Sequence, residues 1–215
     1  MMKKITEFEA VLWDFDGVIV DSEKLWAKEA PKFYAQVCPH FDPKDMHQFV
    51  GGSLKNAWQI FRGKYEIEMD YPEFKKSCED FALENIYKYA NLSPNVRKCF
   101  EKLRENNIPQ AIATSGTRRW VMSTTKNLEI QDFFATIVST DDTDGIGKPF
   151  PDVFLLAAKK LGVNPAKSLI IEDSTNGINA GKIAGATVYA YENGYNHTQD
   201  LSGADFLFSD FLGIL

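Results

Sequence analysis

The sequence predicts an α/β fold: a parallel sheet with helices on both faces, into which an all-helical domain is inserted. Two observations carry the prediction. Apolar runs of strand length alternate with segments of helical periodicity, and one long stretch near the start breaks that alternation. A third feature, polar residues at the ends of several expected strands, says where in such a Rossmann-like fold a site belongs.

Taken in order, the first strand is expected within Phe8 to Phe15, FEAVLWDF. From Asp21 to about Ala90 no convincing buried strand follows, and amphipathic segments around Glu23 to Val37 and Glu73 to Tyr89 read as helices. Turn-prone residues stand at both ends of this stretch, Asp21 and Ser22 on one side and Asn91, Ser93 and Pro94 on the other, as a chain leaving and re-entering a main fold requires. Residues 21–90 are therefore assigned to a helical cap domain, and residues 1–20 with 91–215 to the Rossmann-like core. The core continues with strands at Pro109 to Ser115, Ala135 to Thr140, Ser168 to Asp173 and Ala186 to Tyr191. Between them lie helices over NVRKCFEKLRENN, RRWVMSTTKNL, DVFLLAAKKLG and NGINAGKIAGA, with Pro94 and Pro151 near starts and Gly162 and Gly185 near ends.

Composition narrows the function classes. With 215 residues, 44% of them hydrophobic and 25% charged, the chain can bury one substantial core plus a smaller satellite, and it lacks the signature of disorder. The 30 acidic against 24 basic side chains give a net charge of -6, which offers no attraction to a nucleic-acid backbone or an anionic membrane. A small molecule is the expected partner, and nothing in the sequence fixes an oligomeric state. Cys38, Cys78 and Cys99 follow no metal or disulfide spacing and read as reduced, buried thiols of a cytoplasmic protein. The initial MMKKITEFEAVLWDFDG meets acidic residues before any apolar stretch of signal-peptide length, and no later run has the length of a membrane span.

Asp14 and Asp16 follow the first expected strand, Thr114 and Ser115 the second, and Glu172 and Asp173 the fourth. In an open parallel sheet ligands bind in the crevice outside the carboxyl ends of the strands, so residues distant in sequence can converge there. Asp14 and Asp16, two apart, can point to the same side, and a third carboxylate from Asp173 makes the spot unstable unless a cation neutralises it. Magnesium suits such a site, being a hard ion that takes one or two carboxylates together with water and substrate phosphate. No His/Cys cluster competes for a softer metal. Any one of these acids alone reads as a helix cap or a solvated loop residue. Asp14, Asp16, Ser115, Lys148 and Asp173 together do not.

These residues resemble the motifs of the haloacid dehalogenase-like superfamily, in its branch with a helical cap after the first strand, which holds beta-phosphoglucomutase and many sugar-phosphate phosphatases. DFDGVIVDSE (Asp14 to Glu23), ATSGT (Ala113 to Thr117), GKPFPDVF (Gly147 to Phe154) and IIEDSTNG (Ile170 to Gly177) match the four motifs in order. The resemblance implies that Asp14 attacks phosphorus to form an acyl phosphate, and that Asp16 protonates the leaving oxygen and later takes a proton from water. It implies that Ser115, Gly116 and Lys148 hold the phosphoryl oxygens. Thr114 is the rival to Ser115, which is preferred because Gly116 and Thr117 then fit the following loop. Asp14, the backbone carbonyl of Asp16, Asp173 and Glu172 are implied at the magnesium site, with Glu172 either a ligand or the partner of one. Gly17 and Gly177 are expected to clear space for the backbone.

The same motifs serve hydrolysis and phosphoryl transfer between sugar hydroxyls. The mutases of this branch resemble the chain around Val50 to Asn56, but they place basic residues where it has Val50 and Leu54, and a histidine where it has Trp26. The expectation is therefore a magnesium-dependent phosphatase for a small phosphorylated metabolite, a sugar, polyol or sugar-acid phosphate. A phosphomutase is the alternative, and a catalytically inactive binding protein the third class. Gly51, Gly52, Ser53 and Arg118 are the candidates for substrate specificity, with Trp58 near the cap loop and Arg119 beside Arg118 as a further anion clamp.

Overall fold

The computed structural model describes residues 3–38, 40–49 and 51–215. Along the chain, β1 (Ala10–Trp13) is followed by α1 (Glu23–Val37), α2 (Leu54–Tyr65) and α3 (Tyr71–Ala82). Then come α4 (Val96–Glu105), β2 (Gln110–Ala113), α5 (Arg118–Asn127), β3 (Thr136–Val138), α6 (Asp152–Leu161), β4 (Ser168–Glu172), α7 (Thr175–Ile183), β5 (Thr187–Tyr191) and β6 (Phe206–Phe208). The strands form one parallel sheet in the order β3-β2-β1-β4-β5-β6. Strand order reverses between β1 and β4, and the crevice at that switch point is where open α/β sheets bind ligands.

Strand periodicity explains the two faces. Val11, Trp13, Ile112, Leu169, Ile171, Tyr189 and Tyr191 point to one side, where they meet Val96, Cys99, Phe100 and Leu103 of α4 and Val121 of α5. Leu12, Ala111, Ala113, Ile170, Val188 and Ala190 point to the other, against Val153, Phe154, Ala157 and Ala158 of α6 and Ile178 and Ala180 of α7. Both faces are apolar because both are covered, which is why the strands read as continuous hydrophobic runs.

All five strands expected from the sequence are present, each shorter than its apolar run. The sixth, β6, carries no sequence signal: three residues between Asp205 and Ser209 are held in place by pairing with β5.

Between β1 and β2 the described chain is helical. Its two ends lie side by side, through a bridge of Val20 to Leu92, Asp21 N–H donating to Asn91 O (3.0 Å) and Ser93 N–H donating to Ile19 O (2.9 Å). The expected helix from Glu73 begins at Tyr71, where Asp70 accepts the N–H of Glu73, and a π-helical turn, Leu83–Tyr87, continues it. Helix α2, which lies between the two amphipathic segments expected from the sequence, is capped by Ser53. Its Phe61 is fully buried, stacked on Phe49 (centroids 5.1 Å apart, 7° between planes) and against Tyr34, Phe41 and Phe74. Trp58, near the specificity candidates in sequence, belongs to this core: its Nε1 donates to Met69 O (2.9 Å) and its ring packs on Tyr71.

The helical segment is fastened over the sheet by Arg119 with Asp80 (2.6 Å), Lys75 with Asp141, and Lys55 donating to Asp144 O (2.8 Å). No helix among the described residues is long and apolar enough to cross a membrane.

Because Phe61 is the ring that the other aromatics surround, Phe61→Ala is expected to cost about 3–5 kcal/mol, the usual range for emptying a buried phenylalanine site. Urea unfolding followed by circular dichroism measures this, and a loss below about 1 kcal/mol would show that the cluster does not hold the segment together.

Candidate active site

The ladder of the sheet itself sets the first functional side chains. Asp14 N–H donates to Ile171 O (2.9 Å), prolonging the β1 to β4 pairing by one residue, and Thr114 N–H donates to Val138 O (3.1 Å) at the end of β2. Glu172 is the last residue of β4 and Asp173 follows it. The three carboxylates of Asp14, Glu172 and Asp173 each offer an oxygen within 4.8 Å of the others, and all three residues are buried.

Lys148 enters this cluster from the loop after β3. Its Nζ donates to Asp14 Oδ1 and to Glu172 Oε1 (2.5 Å for the latter), and the side chain is almost wholly buried. Glu172 Oε2 accepts from the N–H of Asp173 (2.8 Å), the N–H of Ser174 (3.0 Å) and Ser174 Oγ (3.0 Å), so both its oxygens are occupied. Asp173 Oδ2 accepts from Asn193 Nδ2 (2.7 Å). Asp14 and Asp173 are thus the acids with an oxygen to spare.

Two glycines make room for this arrangement. A side chain on Gly17, where φ is +78°, would collide with the Asp173 carboxylate and Asn193, and one on Gly177 would collide with Glu172. Gly177 lies in the first turn of α7, so its role is close approach between helix and carboxylate.

Asp16 is held differently. Its Oδ1 accepts from Ser22 Oγ (2.6 Å) and from Tyr87 OH (2.8 Å), the latter reaching in from the π-helical turn. The Asp16 carboxylate stands apart from the cluster of Asp14, Glu172 and Asp173.

Burial dominates the electrostatics. It pushes Asp14 up to about 8, with Glu172 and Asp16 adding to it and Lys148 opposing. It raises Asp173 well above the carboxylate range, helped by Glu23, Glu172 and Asp14. Asp16 is also raised by burial, against hydrogen bonds from Ser22, Tyr87 and Trp26. For Lys148 burial works to lower the ammonium, but Asp14 and Glu172 outweigh it and hold the cation. Four carboxylates against one ammonium leave the site short of positive charge, and its donors are all oxygens. A hard divalent cation fits that donor set.

Asp14, Asp16, Thr114, Ser115, Gly116, Lys148 and Asp173 all line one cavity of about 130 Å³, together with Gly51 and Gly52. Ser115 Oγ accepts from Lys148 N–H (3.1 Å) and Thr114 Oγ1 from Gly116 N–H (2.9 Å), so each hydroxyl keeps its proton for a ligand. The Gly116 N–H is therefore spent within its own turn. The absent side chain of that residue instead lets the Trp120 indole come close.

Three sequence candidates lie elsewhere. Ser53 caps α2, accepting from Asn56 N–H (3.2 Å), and does not line the cavity. Arg118 turns away and donates to Asp142 (2.6 and 2.7 Å) and Ile137 O, because Asp142 caps the turn beside the β3 edge. Arg119 is taken by Asp80 and Glu79. Val50 lies outside the described residues. Conversely, Glu23, Tyr34, Phe49 and Trp120 line the cavity without having been singled out from the sequence. Only Glu23 had a signal, as the last residue of the first motif.

Comparison with known proteins identifies the family. The family model described as haloacid dehalogenase-like hydrolase matches residues 11–191, a span that contains all four motifs. The phosphorylated carbohydrates phosphatase of Thermotoga maritima is 30% identical over 178 residues, 82% of this chain and 82% of that protein. The (DL)-glycerol-3-phosphatase 2 of Arabidopsis thaliana is 30% identical over 189 residues, 83% of this chain and 77% of that one. CbbY from Rhodobacter sphaeroides, solved in complex with phosphate, shares the fold with a TM-score of 0.78 over 95% of each chain at 22% identity. The chain belongs to the haloacid dehalogenase-like hydrolase family.

Proposed function

We propose that the protein is a magnesium-dependent phosphatase that hydrolyses a small phosphorylated metabolite, a sugar, polyol or sugar-acid phosphate, through a phosphoryl group carried on Asp14. The observation that carries this reading is the buried Lys148 bridging Asp14 and Glu172 in the lining of a cavity that Asp16 also lines. The names of the relatives, phosphatases of phosphorylated carbohydrates and of glycerol 3-phosphate, support it.

In this mechanism the free oxygen of Asp14 attacks phosphorus as the bond to the substrate oxygen breaks, and Asp16 gives its proton to the leaving alkoxide. Burial raises the pKa of Asp16, the direction that a general acid needs. Water then attacks the phosphorus of the acyl phosphate, Asp16 takes its proton, and phosphate leaves with Asp14 restored. Lys148 and the hydroxyls of Thr114 and Ser115 stabilise the charge on the non-bridging oxygens. Magnesium, held by Asp14, Asp173 and the backbone carbonyl of Asp16 with Glu172 beside them, would offset the repulsion between a phosphate and these carboxylates.

Residues 21–90 act as a cap on the core of residues 1–20 and 91–215, supplying Tyr87 to Asp16 and closing the cavity above it. Hydrolysis is favoured over transfer because the cap wall offers Leu54 and Trp26, neither of which can hold the second phosphate of a bisphosphate. Three free, buried cysteines suit a reducing cytoplasm.

Asp14→Asn is expected to lower phosphate release by roughly 10³-fold or more, as loss of a nucleophile does. For Asp16→Asn the expected loss is roughly 10²- to 10⁴-fold on sugar phosphates and much smaller on p-nitrophenyl phosphate, whose leaving group needs no proton. A phosphate-release assay with magnesium or EDTA checks both. Full activity in Asp14→Asn or in EDTA would refute the mechanism, and sugar-phosphate interconversion without phosphate release would establish a mutase.

A metal and pH test follows from the buried acids. Asp14 moves from its ordinary 3.8 to about 8 and Glu23 from 4.5 to about 7. Between pH about 5 and about 8 the folded metal-free chain therefore keeps protons that the unfolded chain has lost, so its stability falls as pH rises. A divalent cation replaces those protons, so magnesium should raise the melting temperature more at the alkaline end of that range than at the acid end. Equal shifts at both ends, measured by scanning calorimetry against EDTA, would contradict it.

A further inference from the structure

Asp173 is held twice by the loop that follows β5, a segment outside the four motifs. Asn196 Nδ2 donates to Asp173 O (2.8 Å) and to Tyr191 O (2.9 Å), which ties the loop to the backbone of that acid. Asn193 Nδ2 donates to Asp173 Oδ2 (2.7 Å) and to Gly17 O (3.1 Å). The amide oxygen of Asn193 accepts the N–H of Tyr195 (2.8 Å), and a carboxylate and a carbonyl can only accept, so both ends of the amide are assigned by their partners. Asn193 also lies beyond residue 191, where the match to the family model ends.

Its two bonds reach two of the donors proposed for the metal. On Asp173 they occupy Oδ2 and leave Oδ1 free. On the first loop they hold Gly17, whose own N–H donates to Val20 O (2.9 Å). The Asp16 carbonyl shares a planar peptide with that N–H, so its direction is set between Val20 and Asn193. The other acids are engaged as well: Lys148 takes Asp14 Oδ1 and Glu172 Oε1, and Glu172 Oε2 accepts from Ser174 and from two backbone N–H groups. Asp14 and Asp173 are therefore each left with one oxygen that accepts no hydrogen bond from the described residues.

The number of free oxygens decides which ion fits. Magnesium demands a near-ideal octahedron, into which the narrow bite of a carboxylate bound through both oxygens does not fit, whereas calcium takes about six to eight oxygens in looser geometry and accepts a carboxylate either way. Resting on the magnesium-dependent phosphatase reading, we propose that Asn193 is a positioning residue for the metal site: by holding Asp173 Oδ2 it limits this carboxylate to one metal bond, and so sets the preference for magnesium over calcium. Without the amide, Asp173 is free to turn and offer both oxygens, the mode that suits the larger ion. Gly17 at the same time loses one of the two bonds that direct the Asp16 carbonyl.

Titration calorimetry of magnesium and of calcium on the metal-free chain, without substrate, tests this independently of turnover. Asn193→Ala is expected to weaken magnesium by roughly tenfold or more, the usual effect of removing the hydrogen-bond partner of a ligand, and calcium by about threefold or less. The ratio of the two dissociation constants then moves by at least about threefold toward calcium. Asn193→Leu keeps the bulk of the amide without its hydrogens and should do the same; it decides the matter if melting in EDTA shows that the alanine variant does not fold. Asn196→Ala loosens the same loop without freeing a carboxylate oxygen, so it should leave the ratio within about twofold of the unaltered chain. A ratio unmoved in the Asn193 variants, or moved as far by Asn196→Ala, would overturn the proposal and leave the phosphatase reading standing. Absence of magnesium binding to the unaltered chain would overturn the proposal together with the metal dependence on which it rests.

Discussion

Lys148 donates to Asp14 and to Glu172 at once, and so ties the carboxyl end of β1 to that of β4 across the point where the strand order reverses. A buried ammonium is tolerated only when its partners are themselves well satisfied. Glu172 meets this condition through Ser174, which donates its hydroxyl to the carboxylate and with the same oxygen caps α7. The close seat of α7 on Glu172 requires glycine at position 177, and the approach of Asp173 to the first loop requires glycine at position 17. The two ion pairs of Lys148 thus rest on Ser174 and on glycine at 177, while glycine at 17 answers to Asp173 beside them.

Those pairs still leave the cluster short of positive charge. Burial first, and then the crowding of Asp14, Glu172 and Asp173 around Lys148 as their one cation, raises Asp14 and Asp173, and such a set of oxygens suits a hard cation. Asp16, two residues from Asp14, escapes the cluster because Ser22 and Tyr87 draw its carboxylate to the other side. Two acids so close in sequence thus acquire different surroundings through their hydrogen-bond partners, which is what the proposed division into nucleophile and acid requires.

The helical segment is joined to the sheet by contacts of two kinds. Arg119 with Asp80 is a half-exposed pair, and such pairs contribute about 0–1 kcal/mol each. Trp26 and Tyr87 against Trp120 are largely buried rings, each aromatic pair worth about 0.5–1.5 kcal/mol beyond its area. The attachment therefore runs mainly through the aromatic residues beside Asp16, so the same rings that hold the segment down also form the wall against which a substrate would lie.

The sequence by itself determined five of the six strands and the acids at their ends. Strand runs such as SLIIED and AVLWD carry their period in adjacent residues, and the acids that end them are placed by the strand ladder, so Asp14, Glu172 and Asp173 were legible without tertiary information. Lys148 was legible through its motif alone, since no local rule aims a loop lysine at a carboxylate 134 residues away. What only the tertiary structure decided is the rest of the cavity. Arg118 and Ser53 looked like ligand groups in the sequence, but a neighbouring Asp142 and the start of a helix claimed them. Glu23, Tyr87 and Trp120 gave little local sign, because their meeting depends on how α1, the π-helical turn and α5 pack, and the direction of a helical side chain is set by that packing rather than by its neighbours along the chain.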